Sequence, residues 1–221
     1  MKKRRFQIGA IVSSILLLGV CFWIGLYYFN VIPHKQYKNT DFGLETFRSS
    51  VDRDQDLIDD QTDILNSARA YIATKPKYKS KYYAETGYPT DDCGVCTDVV
   101  AFALRDAGYD LRELVNQDIE EYGDNYNVEK VNKNIDFRRV RNLSIYFEHH
   151  AISLTTDLTA LDAWQGGDIV IMKGHIGIVS DKRNKEGIPF LIHHANPFQI
   201  SYEEDVLGTL YKVVGHYRIS E

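Results

Sequence analysis

Apolar residues follow three different patterns along this chain. A nearly unbroken apolar run covers residues 6–32 and follows a basic cluster at residues 2–5. Between residues 56 and 122, apolar positions recur at the spacing of amphipathic helices. Beyond residue 168 they fall into short runs separated by turn-forming residues, which is typical of β-strands. The pattern therefore predicts one long apolar helix, then several amphipathic helices, then a sheet.

The first apolar run is long enough to cross a bilayer. A transmembrane helix needs about 20 apolar residues, and the run from Phe6 to Ile32 exceeds that length. Basic flanks stay in the cytoplasm, so we predict that residues 1–32 are a single-pass cell-membrane anchor and that the domain after Pro33 is extracytoplasmic. A cleaved signal peptide and a lipoprotein signal at Cys21 are the alternatives.

The remaining residues predict one α+β domain. Residues 33–55 are polar with scattered aromatics and are interpreted as a linker, which leaves 56–221 as the domain. Helices are predicted over residues 56–74, after Cys96, over 111–122 and over 143–149, and strands over 169–172, 176–180, 190–194 and 206–219. Helices followed by strands predict N-terminal helices packed on a C-terminal antiparallel sheet.

Charge and cysteine content narrow the function. The formal net charge is -5, which argues against a nucleic-acid partner because a phosphate backbone requires a basic surface. The 3 cysteines, Cys21, Cys93 and Cys96, are too few for a disulfide scaffold. No cofactor and no metal is predicted.

Cys96 and His175 are the best candidates for chemistry. Cys96 opens a predicted helix, where backbone amides and the helix dipole lower a thiol pKa and can stabilise an oxyanion. His175 begins a distant strand and would act as the partner base. A third polar group would orient it, and His193, His194 and Asn196 are candidates. Strand alternation lets only one of the two adjacent histidines face His175.

The pair Cys93-Gly94-Val95-Cys96 supports two other interpretations. One is thiol–disulfide exchange, although a loop precedes the pair where a thioredoxin-like site has an apolar strand. The other is a zinc site with two of the three histidines at 175, 193 and 194, which follow no zinc-finger spacing. A Cys93–Cys96 disulfide that masks the nucleophile is a further hypothesis.

Six motifs occur in order along the exported part of the chain. They are Gly94–Val100, Asn134–Leu143, Gly167–Val170, His175–Asp181, Ile192-His193 and Gly215–Arg218. Together they resemble the bacterial family catalogued as domain of unknown function 1287, which is regarded as a relative of the NlpC/p60 cysteine peptidases and amidases. The resemblance covers roughly Tyr83 to Arg218.

This resemblance implies a papain-like fold of the NlpC/p60 type, with Cys96 as nucleophile, His175 as base and His193 as the orienting residue. The sequence departs from the family pattern at two positions. Phe137 stands where the family usually has histidine, and His194 stands where it tends to have asparagine. The third catalytic residue therefore stays open between His193 and His194.

Four charged residues are predicted to contact substrate: Asp98, Asp136, Arg138 and Arg139. An arginine would bind a carboxylate of a peptidoglycan stem peptide through its planar fork. The alternative is an ion-pair network that holds a loop.

The sequence thus predicts a membrane-anchored cysteine hydrolase that cleaves an amide bond, in peptidoglycan or another envelope substrate, as an amidase or endopeptidase. A catalytically idle envelope binding module is the alternative from another class.

Overall fold

A computed structural model describes residues 2–28, 30–209 and 211–221, with the side chains of residues 2–6 and 8 left out. The chain divides into two compact units, residues 1–35 and 36–221. The first unit contains helix α1, Lys2–Tyr28. Within it, Gly9–Tyr28 has a mean hydropathy of 2.2 and is long and apolar enough to cross a membrane. The side chains of the basic cluster at residues 2–5 lie outside the described part.

Four helices precede most of the sheet in the second unit. They are α2 (Asp60–Ala73), α3 (Cys96–Asp106), α4 (Leu111–Tyr122) and α5 (Val140–His150). The bounds of α4 match the prediction. Helix α2 begins four residues later than predicted because Asp59 caps it, accepting a hydrogen bond from the Thr62 amide.

The predicted antiparallel sheet is confirmed and has six strands. They are β3 (Ile152–Ser153), β4 (Ile169–Met172), β5 (His175–Arg183), β6 (Pro189–Ile192), β7 (Glu203–Glu204) and β8 (Val213–Arg218). Their order is β3-β8-β4-β5-β6-β7, and every neighbouring pair is antiparallel. A separate parallel pair joins β1 (Lys77–Tyr78) to β2 (Cys93–Gly94). The mixed α+β class is therefore confirmed, whereas the NlpC/p60 type stays a prediction.

Both faces of the sheet are covered. Ile169 and Ile171 of β4 pack in the cluster formed with the helices, while Val170 and Met172 pack on the opposite face with Trp164. Successive side chains of a strand point to opposite faces. A strand buried on both faces therefore reads as the unbroken apolar run seen at 169–172.

The prediction of a linker over residues 33–55 is wrong from residue 36 onward. Asn39 is buried. Its side-chain Nδ2 donates to Gln165 at 3.0 Å, and its side-chain Oδ1 accepts from Arg183 at 2.6 Å. Further along, the Ser49 and Ser220 hydroxyls lie 2.7 Å apart. This segment packs through polar side chains, so the pattern of apolar residues in the sequence did not reveal that it belongs to the domain.

Candidate active site

Cys96 occupies the first position of helix α3. The preceding residue, Val95, is extended (φ -138°, ψ -177°), and its amide donates to the Asp98 carboxylate at 2.8 Å. The backbone N–H groups of Ile176, Thr97 and Cys96 itself lie near the Cys96 sulfur and act to lower its pKa. The amide of Ile176 follows His175 directly, so the structure brings the thiol to the start of strand β5.

A tight hairpin sets the position of His175. Met172 pairs with His175 across a two-residue turn, in which Gly174 has φ +74°. The imidazole Nε2 of His175 lies 2.8 Å from Nδ1 of His193. In turn, Nε2 of His193 lies 3.0 Å from a carboxylate oxygen of Glu204. The three side chains form a buried chain that we call the His–His–Glu relay.

The relay fixes the tautomers of both imidazoles. The Glu204 carboxylate only accepts, so Nε2 of His193 carries a proton and its Nδ1 has a lone pair. Nε2 of His175 then donates to that lone pair, which leaves Nδ1 of His175 unprotonated. His175 is therefore assigned as a neutral base with a free acceptor nitrogen.

Two members of this site were missed in the sequence. Glu204 lies on a strand of two residues, paired to β6 through Ile192 and Glu203. Gln199 donates to the same carboxylate oxygen of Glu204 at 3.1 Å, and its own carbonyl accepts from the Ala195 amide at 2.6 Å. Such a short strand leaves no alternating pattern to detect.

Gly177 allows the two histidine-bearing segments to approach each other. A Cβ on Gly177 would lie 2.8 Å from the Ile192 carbonyl oxygen and 3.1 Å from Cβ of His193. Both separations are below ordinary van der Waals contact. Any larger residue at 177 would push His193 away from His175.

Tyr211 forms a wall beside the two imidazoles of the relay. Its ring stacks on His175 with centroids 5.0 Å apart and meets His193 edge-on at 5.9 Å. Burial raises the pKa of Tyr211, and the charges of Glu204 and a Cys96 thiolate act in the same direction. Tyr211 also lines a surface cleft of about 490 Å³ together with Leu158.

The electrostatics of the dyad differ from the sequence prediction. Burial raises the pKa of the Cys96 thiol to about 11, an effect larger than the lowering caused by the three nearby backbone N–H groups. Burial and the two neighbouring histidines lower the pKa of His175 to about 3. Both groups are therefore neutral at pH 7. The lowered thiol pKa expected at a helix N-terminus is wrong here because desolvation outweighs the helix.

Alkylation of Cys96 is expected to be slow near pH 6 and to accelerate as the pH rises. The thiolate is the reactive form, and its fraction grows about tenfold per pH unit below the raised pKa. Iodoacetamide labelling of the Cys93→Ala variant, read by mass spectrometry of the Cys96 peptide between about pH 6 and pH 9, measures this rise. A rate already at its plateau near pH 6 would show a lowered pKa instead.

The structure brings His193, and not His194, against His175. The His194 ring contacts Tyr78 and Tyr202 edge-on, each at 5.0 Å between centroids. Its Nδ1 is buried with no hydrogen-bond partner, and burial lowers its pKa to about 4. Asn196 accepts from the Phe198 amide at 2.9 Å and so shapes the loop between β6 and β7.

Asp98 and Arg138 pair with each other. Nε of Arg138 lies 2.7 Å from Oδ1 of Asp98 and Nη2 lies 2.9 Å from Oδ2, while Nη1 donates to the Lys81 carbonyl at 2.5 Å. Their side chains are 1 % and 0 % exposed. These two residues do not fit the predicted contact with substrate, because the Arg138 guanidinium and the Asp98 carboxylate already bind each other. Through the bond from the Val95 amide to Asp98, the pair is joined to the turn before Cys96.

Asp136 does not fit the predicted substrate contact, whereas Arg139 remains accessible for it. The Asp136 carboxylate is buried and accepts from the Asn132 amide at 2.6 Å. Arg139 lies 3.5 Å from it with a side chain that is 53 % exposed. Of the four predicted substrate-binding residues, only Arg139 has a guanidinium open to solvent. Phe137, at the family's histidine position, is fully buried with its ring 4.9 Å from Tyr88.

Cys93 and Cys96 are both free thiols in the structure, not a disulfide. The Cys93 sulfur lies 3.7 Å from the Asp92 carboxylate. Among the described residues, the groups that bring three possible metal ligands within 4.8 Å of one another include neither Cys96 nor His175. The alternative zinc site built on Cys93, Cys96 and the site histidines therefore has no support in the geometry.

Comparisons with known proteins agree with the motifs. Residues 65–219 match the family described as Domain of unknown function (DUF1287). The chain is 38% identical over 168 residues to "Uncharacterized protein YijF" of Escherichia coli (strain K12), an alignment that covers 70% of this chain and 80% of that protein. No solved structure matches it. The chain therefore belongs to the DUF1287 family.

Proposed function

We propose that this DUF1287 family member is a membrane-anchored cysteine hydrolase that cleaves an amide bond of the bacterial envelope. One arrangement carries the proposal: a thiol at a helix N-terminus lies near the amide that follows His175, and the His175 imidazole continues into the His–His–Glu relay. A nucleophile, a base and a group that orients the base are the parts that thiol-dependent acyl transfer requires.

The reaction begins with the neutral pair. Nδ1 of His175 accepts the thiol proton while the Cys96 sulfur attacks the substrate carbonyl carbon. The developing oxyanion receives a hydrogen bond from the Cys96 backbone N–H at the start of α3. The imidazolium then protonates the leaving amine, which leaves a thioester on Cys96. Water, deprotonated by the same imidazole, releases the acid and restores the thiol.

The relay stabilises the imidazolium that forms in the first step. Transfer of the thiol proton makes His175 positive, and Glu204 supplies a negative charge through His193. In a buried site this charge acts with little screening by water. His175 is neutral at rest, so it must become charged when it takes the thiol proton. The negative charge of Glu204 stabilises that charged form and so lowers the barrier to proton transfer.

Replacement of Glu204 by glutamine is expected to lower kcat by roughly 10- to 100-fold. The amide keeps a hydrogen-bond acceptor for His193 but loses the charge that stabilises the imidazolium. The matched control is Glu203→Gln on the same strand, where the carboxylate instead pairs with Arg69 and Lys182. The measurement is amine release from purified peptidoglycan. Equal losses in the two variants would show that the relay has no special role.

The substrate is inferred from location. Helix α1 would hold the domain at the membrane, and the basic residues at its N-terminal end favour an outward-facing domain. Peptidoglycan is the amide-rich polymer of that compartment in bacteria, and its stem peptides carry carboxylates that the exposed Arg139 could bind.

A binding module without catalysis is the second candidate. Cys96 is only 8 % exposed, so neighbouring side chains must move before a substrate reaches the sulfur. A module of this kind would bind peptidoglycan fragments and leave every amide bond intact. Mass spectrometry of peptidoglycan incubated with the protein would then show no new fragments, whereas hydrolysis would produce them.

A further inference from the structure

Helix α4 and the last turn of helix α5 share a cluster of one aspartate and two histidines. It consists of Asp118 on α4 and of His149 and His150 at the end of α5. We propose that these three side chains bind one Zn²⁺ ion. None of them belongs to the candidate active site, so the proposal goes beyond the hydrolase and does not depend on it.

The three side chains converge on one point. Nδ1 of His149 lies 2.8 Å from Oδ2 of Asp118, and Nε2 of His150 lies 2.6 Å from Oδ1. One ligand atom of each residue lies within 4.8 Å of the other two. Bonds of about 2.0–2.2 Å to a tetrahedral zinc ion would place neighbouring ligand atoms about 3.4 Å apart. Each nitrogen therefore has to move away from the carboxylate by only about 0.6–0.8 Å.

The charge of Asp118 is an independent reason to expect a cation. Its side chain is 1 % exposed, and its only basic partners among the described residues are the two histidines. Two other buried carboxylates of the chain, Asp98 and Asp168, each pair with an arginine. Buried charges are paired or coordinate metals, and a neutral imidazole donates a hydrogen bond but brings no positive charge. A divalent ion between the histidines and Asp118 would supply that charge.

Neighbouring side chains are placed to orient the ligands. The Tyr126 hydroxyl is buried and donates to Oδ2 of Asp118. Nε2 of His149 lies 3.1 Å from Nδ2 of Asn125, and a half-turn of that amide presents its oxygen to the same nitrogen. When Nδ1 binds a metal, Nε2 carries the proton of the neutral ring and needs such an acceptor. Asn125 would therefore hold His149 in the tautomer that binds zinc.

The exposed imidazoles give an ion access to the cluster. The side chains of His149 and His150 are 23 % and 42 % exposed. An ion that enters from their side keeps water as its fourth ligand, as in zinc sites with three protein ligands. Imidazole ligands favour Zn²⁺ over Mg²⁺ and Ca²⁺, which prefer oxygen ligands.

A bound ion would join two helices of the core. Ile119 of α4 and Phe147 of α5 are close in sequence to the ligands and lie in the same hydrophobic cluster. An ion that binds the folded chain and not the unfolded one stabilises the fold. Zinc is therefore expected to raise the stability of the domain.

The test is calorimetric titration of ZnCl₂ into untagged, chelator-treated, full-length protein in detergent, with thermal unfolding alongside. We expect one Zn²⁺ per chain, a roughly micromolar Kd and a Tm increase of about 5–10 °C at 100 times Kd. MgCl₂ at the same concentration should give no increase. His150→Gln should weaken zinc binding at least about 100-fold. Its Tm in chelator should stay within about 3 °C of the wild type, because the replaced side chain lies at the surface.

Two further variants separate this cluster from other zinc ligands of the chain. Cys93→Ala should bind zinc as tightly as the wild type, and Co²⁺ bound in place of zinc should show no charge-transfer band of a cobalt–thiolate bond. Asn125→Ala should weaken binding by about 10- to 100-fold. The proposal is overturned by no binding up to about 1 mM ZnCl₂, by an equal Tm increase from MgCl₂, by unchanged binding in His150→Gln, or by loss of binding in Cys93→Ala.

Discussion

Replacing Cys96 with alanine is expected to reduce amide cleavage by at least about 10⁴-fold. The sulfur makes the bond to the substrate carbonyl, and the neighbouring Thr97 hydroxyl cannot replace it because it is buried and donates to the Arg138 carbonyl at 3.2 Å. The loss should fall on kcat, because the helix, the relay and the Tyr211 wall all remain. Amine release from purified peptidoglycan, measured at saturating substrate, is the readout.

The matched control is the other buried cysteine of the same short segment. Cys93→Ala removes a thiol that contacts Asp92 instead of the site amides, and it should retain most of the activity. This pair of variants also separates hydrolysis from thiol–disulfide exchange, which needs both cysteines. Equal loss of amine release in the two variants would contradict the assignment of Cys96 as the nucleophile.

The second large effect is expected from Arg138→Met, which should destabilise the protein by about 3–5 kcal/mol. The substitution leaves the Asp98 carboxylate fully buried without its partner. Since Asp98 also accepts from the Val95 amide, the turn that presents Cys96 should loosen and activity should fall with stability. Thermal unfolding should show a Tm decrease of roughly 6–20 °C.

A double variant distinguishes the ion pair from simple packing. Asp98→Asn combined with Arg138→Met removes both charges, so its loss should be smaller than the sum of the two single losses. Strictly additive losses would mean that the two side chains do not stabilise each other.

The parts of this fold that follow a local pattern could be predicted from the sequence. Helix α4 begins after Asp110, whose side chain accepts from the Arg112 amide, and its apolar positions repeat every turn. Strand β4 reads as a short apolar run. Cys96 and His175 stood out because each occupies the start of a recognisable element.

The remaining parts depend on contacts between distant residues. Asp98 and Arg138 lie 40 positions apart, and nothing near either residue reveals that the other one neutralises it. Glu204 enters the site through a two-residue strand. The burial that raises the pKa of Cys96 arises from the packing of α3 against β5, so the helix-terminus argument alone predicted the wrong direction.

The most direct test of the hydrolase is digestion of purified peptidoglycan by the full-length protein in H₂¹⁸O, with Cys96→Ala as control, read by mass spectrometry. We expect new fragments that carry ¹⁸O in one new carboxylate and a free amine on the other side, all absent with Cys96→Ala. The fragment mass identifies the bond. Intact peptidoglycan from the wild type, or the same fragments from both proteins, would contradict catalysis by Cys96.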